Sequence, residues 1–247
     1  MDIKQYLDST YLKTADQAGI SVDENAKVVK KAIQEAIDEN FKLIMIRPEF
    51  VATARKMIRE ANSKVTIGTV IDFPKGAQSL EFKLAEAQQA VNDGVDDLDF
   101  VIDYEAYKRG EVDLVKRQVL ACTKFGLEKG KIVKWIIEIA ALDEHQIVQL
   151  SVLIKNIVVA NFKESDYENV FVKSSTGFYP TQNGAPNGAT VPAIKLMIEN
   201  SFPLPVKAAG GVRTYEEAVE MIKLGVKRIG TSAAKTIADG GVSEAGY

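Results

Sequence analysis

Short apolar runs alternate with longer amphipathic stretches along the whole chain, the pattern of repeated strand–helix units around a parallel sheet. The runs predict strands at Tyr6–Thr10, Phe41–Ile46, Lys64–Ile71, Val95–Ile102, Ile132–Ile139, Val170–Ser174, Pro205–Ala209 and Val226–Thr231. Between them the spacing predicts helices over Asp23–Glu39, Pro48–Ala61, Ser79–Asp93, Val112–Lys129, Leu142–Asn161, Val191–Asn200 and Thr214–Leu224, with a short final turn from Ser232. Ser21 and the acids after it suit a capped helix start. This alternation over 247 residues favours an α/β fold, one closed (β/α)8 TIM barrel spanning 1–247 with a short C-terminal tail.

Strand side chains alternate between faces, and the outer face of a barrel must be apolar because helices cover it. Leu98, Phe100 and Ile102 form the apolar face of the fourth strand, so Asp97 and Asp99 point inward. Val133, Trp135, Ile137 and Ile139 do the same for the fifth, which turns Lys134 and Glu138 in. Val170 and Val172 leave Lys173 inside, and Val206 leaves Lys207 inside. Charges in an interior are costly unless paired. Either these residues form a stabilising ion-pair network or barrel rim, or they build a reactive centre at the C-terminal ends of the strands.

An ordinary lysine, with a pKa of about 10.4, is protonated at neutral pH and cannot attack a carbonyl. Burial or a second cation frees the amine. Lys173 and Lys207, at equal depth on neighbouring predicted strands, suit imine chemistry with Asp99 relaying protons; paired lysines also suit a phosphate site. Ala209-Gly210-Gly211-Val212 after the seventh strand and Gly230-Thr231-Ser232 after the eighth fit the usual phosphate-binding place in barrels, with Thr176-Gly177 as a further donor.

Composition narrows the chemistry. One histidine and one cysteine make a zinc site or a Cys–His or Ser–His nucleophile pair improbable. His145 lies in a polar helix start and reads as an exposed residue. The single Cys122 permits no intramolecular disulfide, which suits a reducing cytoplasm. A net charge of −3 with dispersed basic residues gives no reason to expect nucleic acid. The start Met1-Asp2-Ile3-Lys4 has no secretory pattern, and no apolar run approaches the roughly 20 residues that span a bilayer.

The segments Val172-Lys173-Ser174-Ser175-Thr176-Gly177-Phe178 and Val206-Lys207-Ala208-Ala209-Gly210-Gly211-Val212-Arg213-Thr214 resemble the two signature motifs of the deoxyribose-phosphate aldolase family. Leu7-Asp8-Ser9-Thr10-Tyr11-Leu12-Lys13, Gly94-Val95-Asp96-Asp97-Leu98-Asp99 and Lys134-Trp135-Ile136-Ile137-Glu138 agree in the same order. The resemblance implies a metal-independent class I aldolase without cofactor. Its small-molecule partners would be 2-deoxy-D-ribose 5-phosphate, D-glyceraldehyde 3-phosphate and acetaldehyde. It makes Lys173 the imine lysine, Lys207 its tuning partner and Asp99 the relay acid. Gly210, Gly211, Gly230 and Ser232 fall on the phosphate loops, with Asp8, Thr10, Met45 and Lys134 supporting. Tyr247 matches a C-terminal tyrosine that reaches the active site, although a terminal residue is also where a chain frays. Family members commonly form a homodimer or homotetramer.

Three departures stand out. Met45 replaces a common active-site cysteine, which predicts tolerance of reactive aldehydes. The stretch Phe178–Ala189 is longer than the usual loop, either altering substrate preference or forming a harmless turn-rich insertion. Ala233 follows Ser232 where some members carry a second serine, which would weaken phosphate binding slightly. The remaining alternatives are a class I aldolase for another phosphosugar or aldehyde, and a non-catalytic phosphosugar-binding barrel.

Overall fold

Eight parallel strands pair in sequence order and close on themselves: β1 (Leu7–Tyr11), β2 (Leu43–Ile46), β3 (Thr66–Ile71), β4 (Asp97–Val101), β5 (Ile132–Ile136), β6 (Val170–Lys173), β7 (Val206–Ala209) and β8 (Arg228–Thr231). The structure, a computed structural model, describes residues 2–241. The predicted barrel is therefore present. The main helices are α2 (Val22–Glu39), α3 (Val51–Glu60), α4 (Leu80–Asn92), α6 (Val112–Glu128), α7 (Glu144–Asn161), α8 (Val191–Ser201) and α9 (Tyr215–Leu224). Three shorter helices, α1 (Ala15–Ala18), α5 (Tyr104–Lys108) and α10 (Ala234–Ala238), occupy connections. Neither α1 nor α5 is visible in the hydrophobic pattern, because a helix of one turn carries no periodic stripe.

Local chemistry sets several boundaries. Ser21, Asp143 and Thr214 each accept a bond from the backbone three residues on, while Glu24, Gln146 and Glu217 reach back, so α2, α7 and α9 start in capping boxes. On the outer face, Phe100 stacks on Trp135 at 5.2 Å, and the indole donates to Thr123 Oγ1 on α6 at 2.9 Å. Burying those rings between sheet and helix fixes which strand face points inward.

The fifth strand ends earlier than predicted. It stops at Ile136, and Glu138 takes φ +58. The apolar run Ile136-Ile137 conceals the end, since a hydrophobic pattern does not report a change of backbone conformation. The first strand is shifted by one residue, and the others are shorter than predicted by one or two residues at an end.

Candidate active site

Inside the barrel the charges form one connected chain of contacts. Lys134 Nζ donates to Asp97 Oδ2 at 2.6 Å and to Asp99 Oδ1 at 2.8 Å. Lys173 Nζ and Lys207 Nζ both donate to Asp99 Oδ2, at 2.9 and 3.0 Å. Lys207 Nζ also lies 2.6 Å from Asp8 Oδ2, and Arg228 Nε donates to Asp8 Oδ1 at 2.7 Å. Arg228 reaches Asp97 Oδ2 at 3.4 Å. The strand register explains the meeting of the two lysines, since Lys173 and Lys207 are direct partners across β6 and β7. They occupy one face at one level.

Asp97, Asp99, Lys134, Lys173 and Lys207 are thus brought together as the alternation predicts. Arg228 was not among the predicted residues, and Asp8 entered only through resemblance. The alternation is weaker on these two strands: Ile229 beside Arg228 and Leu7 beside Asp8 are apolar, but Lys227 and Ser9 share their faces. Three aspartates face Lys134, Lys173, Lys207 and Arg228, so the cluster balances when one of the four bases is neutral.

Electrostatics select that base. Burial is the largest influence on Lys173, Lys207 and Lys134 add repulsion, Asp99 opposes, and the net result lowers its pKa to about 8. The neighbouring cation emphasised from sequence is therefore secondary to desolvation. Burial would raise the Asp99 carboxyl, but Lys134, Lys173 and Lys207 override it and hold the group well below the usual range. For Asp8 burial likewise opposes, and Arg228, Lys207 and Lys134 win, lowering its pKa. Lys134 ends raised, since Asp97 and Asp99 outweigh its burial.

Glu138 behaves differently. Burial lifts its pKa to about 7, against the pull of the Thr176 hydrogen bonds and of Lys173. Its Oε2 accepts from Thr176 N at 3.2 Å and, in a short contact, from the Thr176 hydroxyl.

Around the mouth, Thr10 donates its hydroxyl to Asp8 O at 2.8 Å. Met45 is buried on the inner face, and a Cβ on Gly68 would meet its Cε at 2.4 Å, so the thioether fills the space that this glycine leaves. Gly210 and Gly211 have φ +77 and +80, a left-handed geometry suited to glycine. The long connection after β6 packs on them: Ala189 N donates to Gly210 O at 2.9 Å, and Asn187 Nδ2 donates to Gly177 O at 2.9 Å. Phe178 meets Phe73 edge-on at 5.2 Å and Tyr179 meets Tyr104 at 6.0 Å, tying this segment to the connections after β3 and β4.

Gly230 is a correction. It lies within β8, facing inward, where a Cβ would stand 3.1 Å from Lys207 Cε. Its lack of a side chain gives Lys207 room. Ser232 follows the strand and is exposed. Tyr247 lies outside the described residues. Among the described residues, no group of three His, Cys, Asp or Glu is arranged to hold a metal ion, and no helix is long and apolar enough to cross a membrane.

Comparison with known proteins agrees with the geometry. The family model described as DeoC/LacD family aldolase matches residues 5–243. A deoxyribose-phosphate aldolase of Thermococcus gammatolerans is 39% identical over 97% of this chain and 96% of its own length. One from Lactiplantibacillus plantarum is 34% identical over 96% and 99%. The deoxyribose phosphate aldolase of Aeropyrum pernix, described as a unique tetramer, superposes with a TM-score of 0.75 at 26% identity, covering 96% of this chain and 89% of that one. The chain belongs to the DeoC/LacD aldolase family, among the deoxyribose-phosphate aldolases.

Proposed function

We propose that this aldolase reversibly cleaves 2-deoxy-D-ribose 5-phosphate to D-glyceraldehyde 3-phosphate and acetaldehyde through an imine on Lys173. The carrying observation is that Lys173 is the base in the buried cluster with a pKa lowered to about 8. A useful fraction of it is an uncharged nucleophile near neutral pH. Lys207 shares its acceptor oxygen, so protonated Lys207 disfavours a second positive charge at Lys173.

Amine attack on the substrate aldehyde gives a carbinolamine, and loss of water gives the imine. The imine accepts the electron pair when the bond between the second and third sugar carbons breaks. D-Glyceraldehyde 3-phosphate leaves, with the third-carbon hydroxyl giving up its proton. The remaining enamine is protonated at carbon and hydrolysed to acetaldehyde. Asp99, held ionised by three lysines, relays protons with Lys207 through water. Backbone N–H groups of Gly177, Gly210 and Gly211, with Ser232, suit the phosphate, whereas Thr176, expected from sequence as a further donor, gives both its N–H and its hydroxyl to Glu138. The reaction needs no metal or cofactor, and the cytoplasm is its expected place. Self-association as a dimer or tetramer is part of the same reading.

Incubation with 2-deoxyribose 5-phosphate or acetaldehyde, borohydride reduction and peptide mass spectrometry test it. The adduct is expected on Lys173, and an adduct on Lys207 alone would reverse the roles. EDTA should leave the rate unchanged. Equal kcat/KM for 2-deoxyribose and its 5-phosphate would remove the phosphate assignment.

A further inference from the structure

Glu138 stands apart from the ion-paired ring. Ile137 N donates to Lys173 O and Ile139 N donates to Ser174 O, each at 3.0 Å. One side of this pairing advances two residues while the other advances one, so Glu138 is the extra residue of a bulge, with φ +58. Bulges next to active sites re-aim side chains. A non-glycine residue at positive φ persists where its surroundings impose it.

The bulge delivers a buried carboxyl within the electrostatic reach of Lys173. Oε2 is committed to Thr176. Oε1 and the buried Ser175 Oγ make no hydrogen bond of good geometry among the described residues; the two groups lie close enough for a loose bond to each other, which eases ionisation of the carboxyl. Buried polar atoms without well-made hydrogen bonds are rare and costly. A carboxyl oxygen and a hydroxyl so loosely matched, within the electrostatic reach of Lys173, fit a water molecule or a substrate hydroxyl between them.

We propose that Glu138 Oε1 and Ser175 Oγ hold the oxygen that leaves and re-enters at the imine carbon, and that Glu138 carries its proton. The idea rests on the imine reading of Lys173. In the forward direction the Glu138 carboxyl protonates the carbinolamine hydroxyl. The carbon–oxygen bond breaks, water departs, and the nitrogen lone pair forms the C=N bond, leaving a carboxylate. In hydrolysis that carboxylate takes a proton from water as its oxygen bonds to the iminium carbon, and the C=N electron pair returns to nitrogen.

Lys173 from β6 and Tyr104 from α5 are the titratable groups acting on or facing this carboxyl. With its pKa near 7, both forms are populated at neutral pH, as a group used in both directions requires. Asp99 stays ionised, so two carboxyls in one site divide two tasks by environment.

The test measures how fast acetaldehyde forms a borohydride-trappable adduct on Lys173, across about pH 5.5 to 9. Glu138→Gln preserves shape and an acceptor for Thr176. It is expected to give the same adduct about 100-fold more slowly, without the wild-type titration near pH 7. Ser175→Ala is expected to slow trapping about tenfold while keeping that titration. Wild-type trapping rate and pH profile in Glu138→Gln would overturn the proposal and leave Glu138 as a latch for Thr176. If near-ultraviolet circular dichroism shows Glu138→Gln unfolded, Ser175→Ala decides, and an unchanged rate there overturns the proposal. Absence of wild-type trapping would sink the imine reading itself, a distinguishable failure.

Discussion

Two lysines buried beside an aspartate, Lys83 and Lys173, have opposite chemical prospects. Lys83 on α4 donates to Asp72 Oδ2 at 2.6 Å, to Val101 O at 2.8 Å and to Gly76 O at 2.9 Å. An ammonium has three donors, and all are used. Lys173 has a carboxylate oxygen that it shares with Lys207. Both are buried, so burial alone does not make a reactive amine. Lys83 has an acceptor for each of its donors, whereas Lys173 shares its acceptor beside other cations, which add to the burial that lowers its pKa. Lys83 fixes the connection after β3, from which Phe73 meets Phe178. Lys173 closes β6 at its C-terminal end, the end at which barrel enzymes place their active sites.

The comparison breaks most visibly at Lys173. Lys173→Leu should remove cleavage by at least about four orders of magnitude while leaving the thermal transition nearly unchanged. Substantial residual activity without a trapped adduct would end the distinction. The converse substitution, Lys83→Met, strands Asp72 in a buried site and should cost about 3–5 kcal/mol of stability in urea unfolding. Adding Asp72→Asn should recover part of that loss, because the buried charge is gone. If Lys83→Met instead abolished activity at full stability, Lys83 would belong with the reactive group.

Lys207→Leu sharpens the account of the shared acceptor. Lys207 helps to depress Lys173, so without it the amine keeps its proton to higher pH. With Lys173 as the nucleophile, activity should rise with pH as the amine deprotonates near pH 8, and that rise should move upward in the variant. Each unit of movement costs about tenfold at pH 7. An unmoved profile would make burial the whole cause. A smaller loss of stability than that of Lys83→Met is expected for Met45→Cys, about 1–2 kcal/mol from the space opened over Gly68. The variant should also be inactivated by crotonaldehyde faster than wild type, and equal rates would reject the predicted tolerance.

Much of the site was readable from strand alternation. Rings and aliphatic side chains on one face force Asp97, Asp99, Lys134, Lys173 and Lys207 to the other. The misses have physical causes. Arg228 is hard to read because Lys227 and Thr231 share the face of Ile229, so the eighth strand shows no clean apolar side. Lys83 sits on an amphipathic helix, where a lysine is ordinarily solvated, and only packing against the connection after β3 buries it. Gly230 resembled a loop glycine, and only the β7–β8 register gives it the task of making room for Lys207.

The sequence by itself determined the barrel, because alternating periods of two and about 3.6 leave few ways to bury so much apolar surface. It also determined which charges enter the interior, since one face of each strand must be apolar. Tertiary structure alone decided which oxygens each lysine meets and that Glu138 turns at a bulge. It also decided that desolvation outweighs cation repulsion at Lys173. Those outcomes depend on distances of a few ångströms across strands far apart in the chain, which a linear pattern does not encode.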